Sequence, residues 1–303
     1  MERISTFANN TALMAQALKV QSQLAEKQME SASGDKSQDY KGVAQTASQI
    51  VSLESSINRS MTYVDNGELV IGRIEVMQSS ITSLIDLANN FKSDLTATLG
   101  GDNASTVGIN TIANSNLEEA AATINLQVGG RYLFAGSATD QPPVSVGDPP
   151  YTAISSPSTA QDSYYSGNDD TASVQVNDKL NLEYGVAGSD SGFEKLLRAM
   201  NISANASEDP MDQAAFEEAF ELLNEAMDEL LVVQTELTVA FNTTERALDD
   251  QVDYQLYAGN WLDDAKTADV GQTTLELSQL EAQLEASYSA TTKLINLSLT
   301  DYI

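Results

Sequence analysis

The last part of the chain places the strongest constraint on its fold. Between residues 270 and 298 no Pro occurs, the only Gly is Gly271, and apolar or small residues recur at steps of three and four. This spacing predicts an α-helix with one apolar face, about 43 Å long at 1.5 Å per residue. Because a single helix cannot bury that face by itself, the segment needs a partner helix.

The beginning of the chain supplies a matching segment. Residues 5–33 predict a second helix of nearly the same length, which ends before Gly34 and carries two apolar stripes instead of one. A helix with two stripes has two neighbours, so the second stripe either packs inside a bundle of the same chain or packs against another chain. The first stripe includes Ile4, Phe7, Met14 and Leu18, and the second includes Leu13, Val20 and Leu24.

The two halves of the chain have mirror-image layouts. The first helix is followed by a loop at 34–42 and then by a long helix that ends at Gly100-Gly101. The last helix is preceded by a polar loop at 258–268, which holds Trp261, and before that by a long helix from Asp209-Pro210 to about Tyr257. Such a layout predicts two chain ends that run antiparallel along each other. Glu54 and Glu68 interrupt the long helix's apolar seam, either as a register device or on a solvent face.

Residues 131–190 differ in composition from the rest of the chain. They hold five of the six prolines, and short runs such as 132–135, 151–155, 172–176 and 180–186 have strand character. The predicted fold is therefore mainly α: a long antiparallel, coiled-coil-like helical rod built from both chain ends, with a small β-rich insertion at its tip. The expected parts are 1–42 with 258–303 as an assembly segment, 43–130 with 191–257 as the long-helix core, and 131–190 as an outer insertion.

Composition limits the chemistry. The chain has no Cys and no His, which removes the thiolate nucleophile and the commonest general base and metal ligand. We expect no enzyme, no cofactor and no metal site. A net charge of -29 argues against binding to nucleic acid or to an anionic membrane. No cleaved signal peptide and no membrane span are predicted.

Three stretches resemble the bacterial flagellin family, in particular its hook-associated protein 3 branch. The opening Arg3-Ile4-Ser5-Thr6 is similar to that branch's start, and Leu284-Glu285-Ala286-Ser287-Tyr288 with Leu297-Ser298-Leu299 is similar to its C-terminal segment. The most specific stretch matches the branch's G-[RK]-Y-[LI]-F-A-G signature. It consists of Gly130, Arg131, Tyr132, Leu133, Phe134, Ala135 and Gly136.

The resemblance implies a structural protein of the flagellum, exported through the flagellar channel without cleavage and therefore extracellular. Its terminal helices would assemble with copies of itself, with hook-associated protein 1 and with flagellin, at the junction of hook and filament. An export chaperone would be a further partner at the C-terminal segment. The alternative is a short flagellin that forms the filament itself. The candidate assembly residues are the seven stripe residues of the first helix and, in the last helix, Leu277, Leu280, Leu284, Tyr288, Leu294, Leu297 and Leu299.

Overall fold

The computed structural model describes residues 2–37, 40, 46–100, 108–147 and 151–300, and it describes side chains within these ranges except at 2–7, 9, 10 and 294–300. The described chain is mainly α-helical with two small antiparallel hairpins, which confirms the predicted fold class. The helices are α1 (Glu2–Ser33), α2 (Ala47–Gly100), α3 (Ile109–Ile124), α4 (Ser191–Asn205), α5 (Gln213–Lys266) and α6 (Val270–Thr300). The strands are β1 (Gln127–Val128), β2 (Arg131–Tyr132), β3 (Ser173–Gln175) and β4 (Asn181–Glu183).

One predicted boundary is wrong. The segment 258–268 was expected to be a polar loop, but α5 continues through it to Lys266. The seam of α5 persists in this segment at heptad steps, with Ala258 buried and with Leu262 and Ala265 half-buried. Trp261 therefore lies on a helix instead of in a loop.

The start of α5 also differs from the prediction. Asp209-Pro210 lies in the turn before the helix, and the helix begins at Gln213. Asp212 provides the cap, since its side-chain oxygen accepts a hydrogen bond from the Ala215 amide at 3.1 Å. Among the predicted strands, 151–155 is an irregular extended segment, held by a 2.8 Å hydrogen bond from the Ile154 amide to the Asn201 side chain.

The chain divides into two compact units, which we call the terminal unit (Met1–Arg59 with Tyr254–Ile303) and the central unit (Ser60–Asp253). Both long helices contribute to both units. The division of the chain into three parts by role, made from the sequence, stays a prediction.

Within the central unit, α2 and α5 run antiparallel. Side chains of the two helices meet at Gln78 with Thr238 (3.1 Å), Gln234 with Thr82 (3.0 Å) and Lys92 with Asn224 (2.5 Å). Each step forward along α2 is thus matched by nearly the same step back along α5. Long helices packed in a constant register of this kind have the geometry that heptad spacing predicts.

The core of the central unit lies where α3 and α4 join this pair. Its fully buried aromatic side chains come from α2, α4, α5 and the insertion. The end of α4 is closed by the Asn110 side chain of α3, which donates to the carbonyls of Ser203 (2.8 Å), Ala204 (3.0 Å) and Ala206 (2.9 Å). These bonds satisfy carbonyl groups that a helix end leaves without partners. The buried aromatic residues are Phe91, Phe134, Tyr151, Tyr164, Phe193 and Phe216.

Two glycines of α2 provide a matched test of how closely α2 and α5 approach. A Cβ added at Gly67 would lie 2.3 Å from Leu248 Cδ2, whereas a Cβ at Gly72 would meet open space. We expect Gly72→Ala to raise the free energy of unfolding by about 0.5–1 kcal/mol, because Ala loses less backbone entropy in a helix. Gly67→Ala should lower it by about 1 kcal/mol, because Leu248 must move within a packed seam.

Denaturant unfolding followed by far-UV circular dichroism measures both effects. Equal stabilisation by the two substitutions would show that Leu248 moves aside without cost, and would contradict the close packing described here.

Candidate assembly surface

The two chain ends pack together in the terminal unit, where α1 lies along α6. Lys27 Nζ lies 2.7 Å from Glu276 Oε2, and the Thr273 hydroxyl donates to Glu30 Oε1 at 3.0 Å. Three residues forward along α1 correspond to three residues back along α6, so the helices are antiparallel, as the mirror-image layout predicts. The Glu276 carboxylate raises the pKa of Lys27, and the Lys27 ammonium lowers the pKa of Glu276.

The seam between these helices uses the second of the two stripes on α1. Ala17 and Val20 are buried, and Leu13 and Leu24 are half-buried. On α6, Thr273 is buried. The predicted residues Leu277, Leu280 and Leu284 are half-buried along the same helix.

The first stripe of α1 is open. Met14 and Leu18 are 61% and 62% exposed, and Met29, which continues the same face, is 55% exposed. On α6, Tyr288 is also mostly exposed. The side chains of Ile4, Phe7, Leu294, Leu297 and Leu299 lie outside the described residues. Among the described side chains, α1 therefore fully or partly buries those of the second stripe, and Met14 and Leu18 of the first stripe are exposed to solvent.

The connections that follow α1 and precede α6 are bonded to each other. The Ala268 amide donates to the Gly34 carbonyl at 2.8 Å, and the Lys36 amide donates to the Lys266 carbonyl at 2.7 Å. Gly34 adopts a φ of 79°, a left-handed conformation that favours glycine at a helix end. These bonds hold the end of α1 beside the start of α6.

Glu54, which interrupts the seam of α2 in the sequence, has a specific partner. Its carboxylate lies 2.5 Å from Lys266 Nζ at the end of α5 and accepts a 3.2 Å hydrogen bond from the Tyr40 hydroxyl. Lys266 lowers the pKa of Glu54, and Glu54 raises the pKa of Lys266. Of the two interpretations left open by the sequence, the ion pair between helices agrees with a register device at Glu54, whereas the exposed Glu68 agrees with a solvent face.

A row of exposed aromatic residues was missed by the sequence reading. Tyr254, Tyr257 and Trp261 follow one another on α5 at steps of three and four, and Tyr257 and Trp261 are 66% and 62% exposed. The spacing was visible in the sequence. The predicted loop at 258–268 separates Trp261 from the two tyrosines, which belong to the predicted long helix.

The seven-residue signature forms the entrance to the insertion. Gly129 and Gly130 have φ angles of 61° and 77° and make the two-residue turn between β1 and β2, in which Val128 pairs with Arg131. Positive φ at both central residues is the requirement of a type I′ hairpin turn. Phe134, two residues after the end of β2, is fully buried and packs edge-on against Phe193 of α4, with ring centroids 5.4 Å apart.

The end of the signature is closed by hydrogen bonds to the end of the insertion. The Phe134 carbonyl accepts from the Gly188 amide at 2.8 Å, and the Ala135 carbonyl accepts from the Asn168 amide at 3.2 Å. Gly136 has a φ of 65°, and a Cβ there would lie 2.1 Å from the Asn168 carbonyl oxygen. Backbone geometry therefore requires the two glycines of the signature, Phe134 and Ala135 are buried, and Arg131 is exposed.

Charge is distributed unevenly between the two units. The terminal unit has 8 basic and 13 acidic residues, a net charge of -5, whereas the central unit has 7 basic and 31 acidic residues, a net charge of -24. In the described part of the chain, no group of three or more Asp and Glu side chains is placed to hold a metal ion. Over the same residues, no helix is both long and apolar enough to cross a bilayer.

No family model matches the chain, and no curated protein matches it. Several solved structures resemble this chain in fold. A flagellar hook-associated protein from Vibrio parahaemolyticus superposes with a TM-score of 0.59 at 15% identity, over 73% of this chain and 97% of that one. Flagellar hook-associated protein 3 from Legionella pneumophila gives a TM-score of 0.57 at 12% identity, over 71% and 98%. FlgL from Bacillus cereus gives 0.55 at 13% identity, over 71% and 99%.

The fold is that of the flagellar hook-associated proteins. At these identities the likeness concerns the fold alone, and it agrees with the resemblance carried by the signature and by the two chain ends. The fold places the signature at the base of the insertion and pairs the first helix with the last.

The Glu54–Lys266 pair generates a prediction for pH dependence. Because the pKa of Glu54 is lowered in the folded state, its contribution is present above the ordinary carboxyl pKa of 4.5 and is lost as the pH falls below that value. The Lys266 contribution, with a raised pKa, is lost above 10.5. We expect Glu54→Gln to lower the stability of the terminal unit at pH 7 by about 0.2–1 kcal/mol, as for other exposed pairs.

The measurement is unfolding followed by the fluorescence of Trp261, the chain's single tryptophan, which lies in the terminal unit. Glu26→Gln, an exposed substitution on α1, is the matched control. If the wild type and Glu54→Gln lost the same stability between pH 6 and about pH 3, the pair would not contribute.

Proposed function

We propose that this chain is a structural axial protein of the bacterial flagellum that forms the junction between the hook and the flagellin filament. Two independent features support the proposal. The fold resembles solved hook-associated proteins, and the signature Gly130–Gly136 folds as the base of the insertion, with its glycines at positions that require them.

The observation that carries the proposal is the open stripe of α1. The pairing with α6 covers one face of α1, and Met14, Leu18 and Met29 remain exposed on the other. Such a row beside a completed helix pair is typical of a surface that a further helix covers. We infer that helices from copies of the same chain cover it, and that the predicted assembly residues of α1 and α6 contribute to these contacts.

Charge supports contact between copies through the terminal unit. Two central units, each with a net charge of -24, repel one another, whereas two terminal units with a net charge of -5 repel far less. In the proposed assembly, the terminal unit makes the contacts between chains. The insertion 131–190 forms the outer part of each chain, and α2 with α5 forms the long-helix core.

The proposed partners follow from this position. Copies of the chain would contact hook-associated protein 1 on the hook side and flagellin on the filament side. The protein would reach this place through the flagellar export channel, with an export chaperone on the C-terminal segment and without removal of a signal peptide.

Deletion of the gene, followed by electron microscopy of the cells, tests the proposal. A junction protein predicts hooks without filaments and flagellin released into the medium. Normal hooks that carry an altered filament would instead identify the chain as a short flagellin. Unchanged flagella would contradict both functions.

The open stripe itself is tested by Met14→Ser with Leu18→Ser. These side chains are exposed in the isolated chain, so we expect its stability to change little, while filament attachment in the deletion strain falls at least about tenfold. The matched control is Met61→Ser with Leu69→Ser, which removes the same residue types at 48% and 53% exposure in the central unit. Equal loss of attachment in both variants would indicate a general effect of replacing exposed apolar side chains by Ser. That result would contradict the proposed role of the open stripe of α1.

A further inference from the structure

The central unit contains a cavity of about 300 Å³ beside the first hairpin. Its walls come from α2, from the signature segment and from the residues that precede β3 and follow β4. The lining residues that matter here are Arg73, Arg131, Ser137, Thr139, Asp170 and Tyr184.

Two of the seven basic residues of the central unit line this one cavity, although acidic residues outnumber basic ones by 31 to 7. Of the other five cations, Lys92 and Arg246 donate to neutral groups, the Asn224 side chain and the Asn242 carbonyl. Lys195 lies 2.8 Å from both Glu225 and Glu229, and Arg198 lies 3.1 Å from Glu194.

The two arginines of the cavity also have neutral partners among the described residues. Arg73 Nη1 donates to the Tyr184 hydroxyl at 3.0 Å, and Arg131 Nε donates to the Thr139 hydroxyl at 3.2 Å. A guanidinium has five N–H donors, so each arginine keeps donors for a further acceptor. The cavity also contains hydroxyl groups that can bond neutral polar substituents.

Asp170 supplies the carboxylate in the cavity lining, and this carboxylate is bonded to neutral side chains. Its Oδ2 accepts from the Ser137 hydroxyl at 2.8 Å and from Asn168 Nδ2 at 3.0 Å, and it makes no described ion pair with Arg73 or Arg131. These bonds belong to the loop that closes the end of the signature. The cavity therefore carries a net positive charge within a strongly negative unit.

The walls of the cavity are fixed by close backbone packing. A Cβ at Gly136 would lie 2.1 Å from the Asn168 carbonyl oxygen, and a Cβ at Gly185 would lie 2.2 Å from the Ala172 nitrogen. Both glycines line the cavity. Because neither wall can move outward without breaking this packing, the two arginines line a site of defined shape.

We propose that this cavity binds a small organic carboxylate through Arg73 and Arg131. Guanidinium groups bind carboxylates through paired, charge-assisted hydrogen bonds, and a volume of this size lies at the lower end of small-molecule sites. The site does not depend on the flagellar function proposed above. The carboxylate comes either from a free small molecule or from an Asp or Glu side chain of a second copy of this chain.

The probe for the first source is citrate, titrated into the full chain at constant ionic strength and followed by calorimetry. We expect saturable binding with a Kd on the order of 1 mM, and no binding of glucose, a neutral polyol of similar size. Arg131→Gln and Arg73→Gln should each weaken binding at least about tenfold. Arg246→Gln is the matched control, because this exposed arginine of the same unit bonds its own helix at the Asn242 carbonyl and lies outside the cavity.

Sedimentation of the same variants tests the second source. If a second copy supplies the carboxylate, the full chain self-associates, citrate competes with that association, and Arg131→Gln weakens it while Arg246→Gln does not. Arg131 is exposed, so its substitution should leave the fold intact, and circular dichroism checks this. The proposal is overturned if citrate does not bind and Arg131→Gln does not weaken self-association, or if Arg246→Gln reduces either as much as Arg131→Gln does.

Discussion

The structure depends on the antiparallel pairing of the two halves of the chain. α2 and α5 keep one register through the central unit, and α1 and α6 keep another in the terminal unit. Where backbones come closest, as at Gly67 against Leu248, a side chain on the first helix would displace one on the second. Because long helices of this kind bury only a narrow stripe each, the constancy of register is what allows those stripes to stay matched over the whole length.

The insertion interrupts this pairing without disturbing it, because its two ends are bonded to each other. The carbonyl groups of Phe134 and Ala135 at the entrance accept hydrogen bonds from Gly188 and Asn168. The ring of Phe134 anchors the entrance to α4 through Phe193. Backbone geometry explains Gly130 and Gly136 of the signature, and burial explains Phe134 and Ala135. Arg131 is exposed, and its proposed role is binding.

Negative charge is distributed unevenly between the two units, although both expose large apolar side chains. The central unit carries most of the negative charge, and the terminal unit carries the open Met and Leu row of α1 together with the aromatic row of α5. In the proposed assembly, repulsion between central units favours association of copies through the terminal unit. Within that unit, the Glu54–Lys266 ion pair links α2 to the end of α5.

The sequence by itself determined the helical class and the antiparallel layout. Heptad spacing depends on local geometry, which the order of residues specifies directly. Only the tertiary structure decided which stripe of α1 is buried, because Leu13 and Met14 have similar hydrophobicity and the difference lies in where α6 packs. It also decided that α5 continues past Tyr257, where burial of Ala258 outweighs a polar composition, and that Arg73 and Arg131, 58 positions apart in the chain, line one cavity.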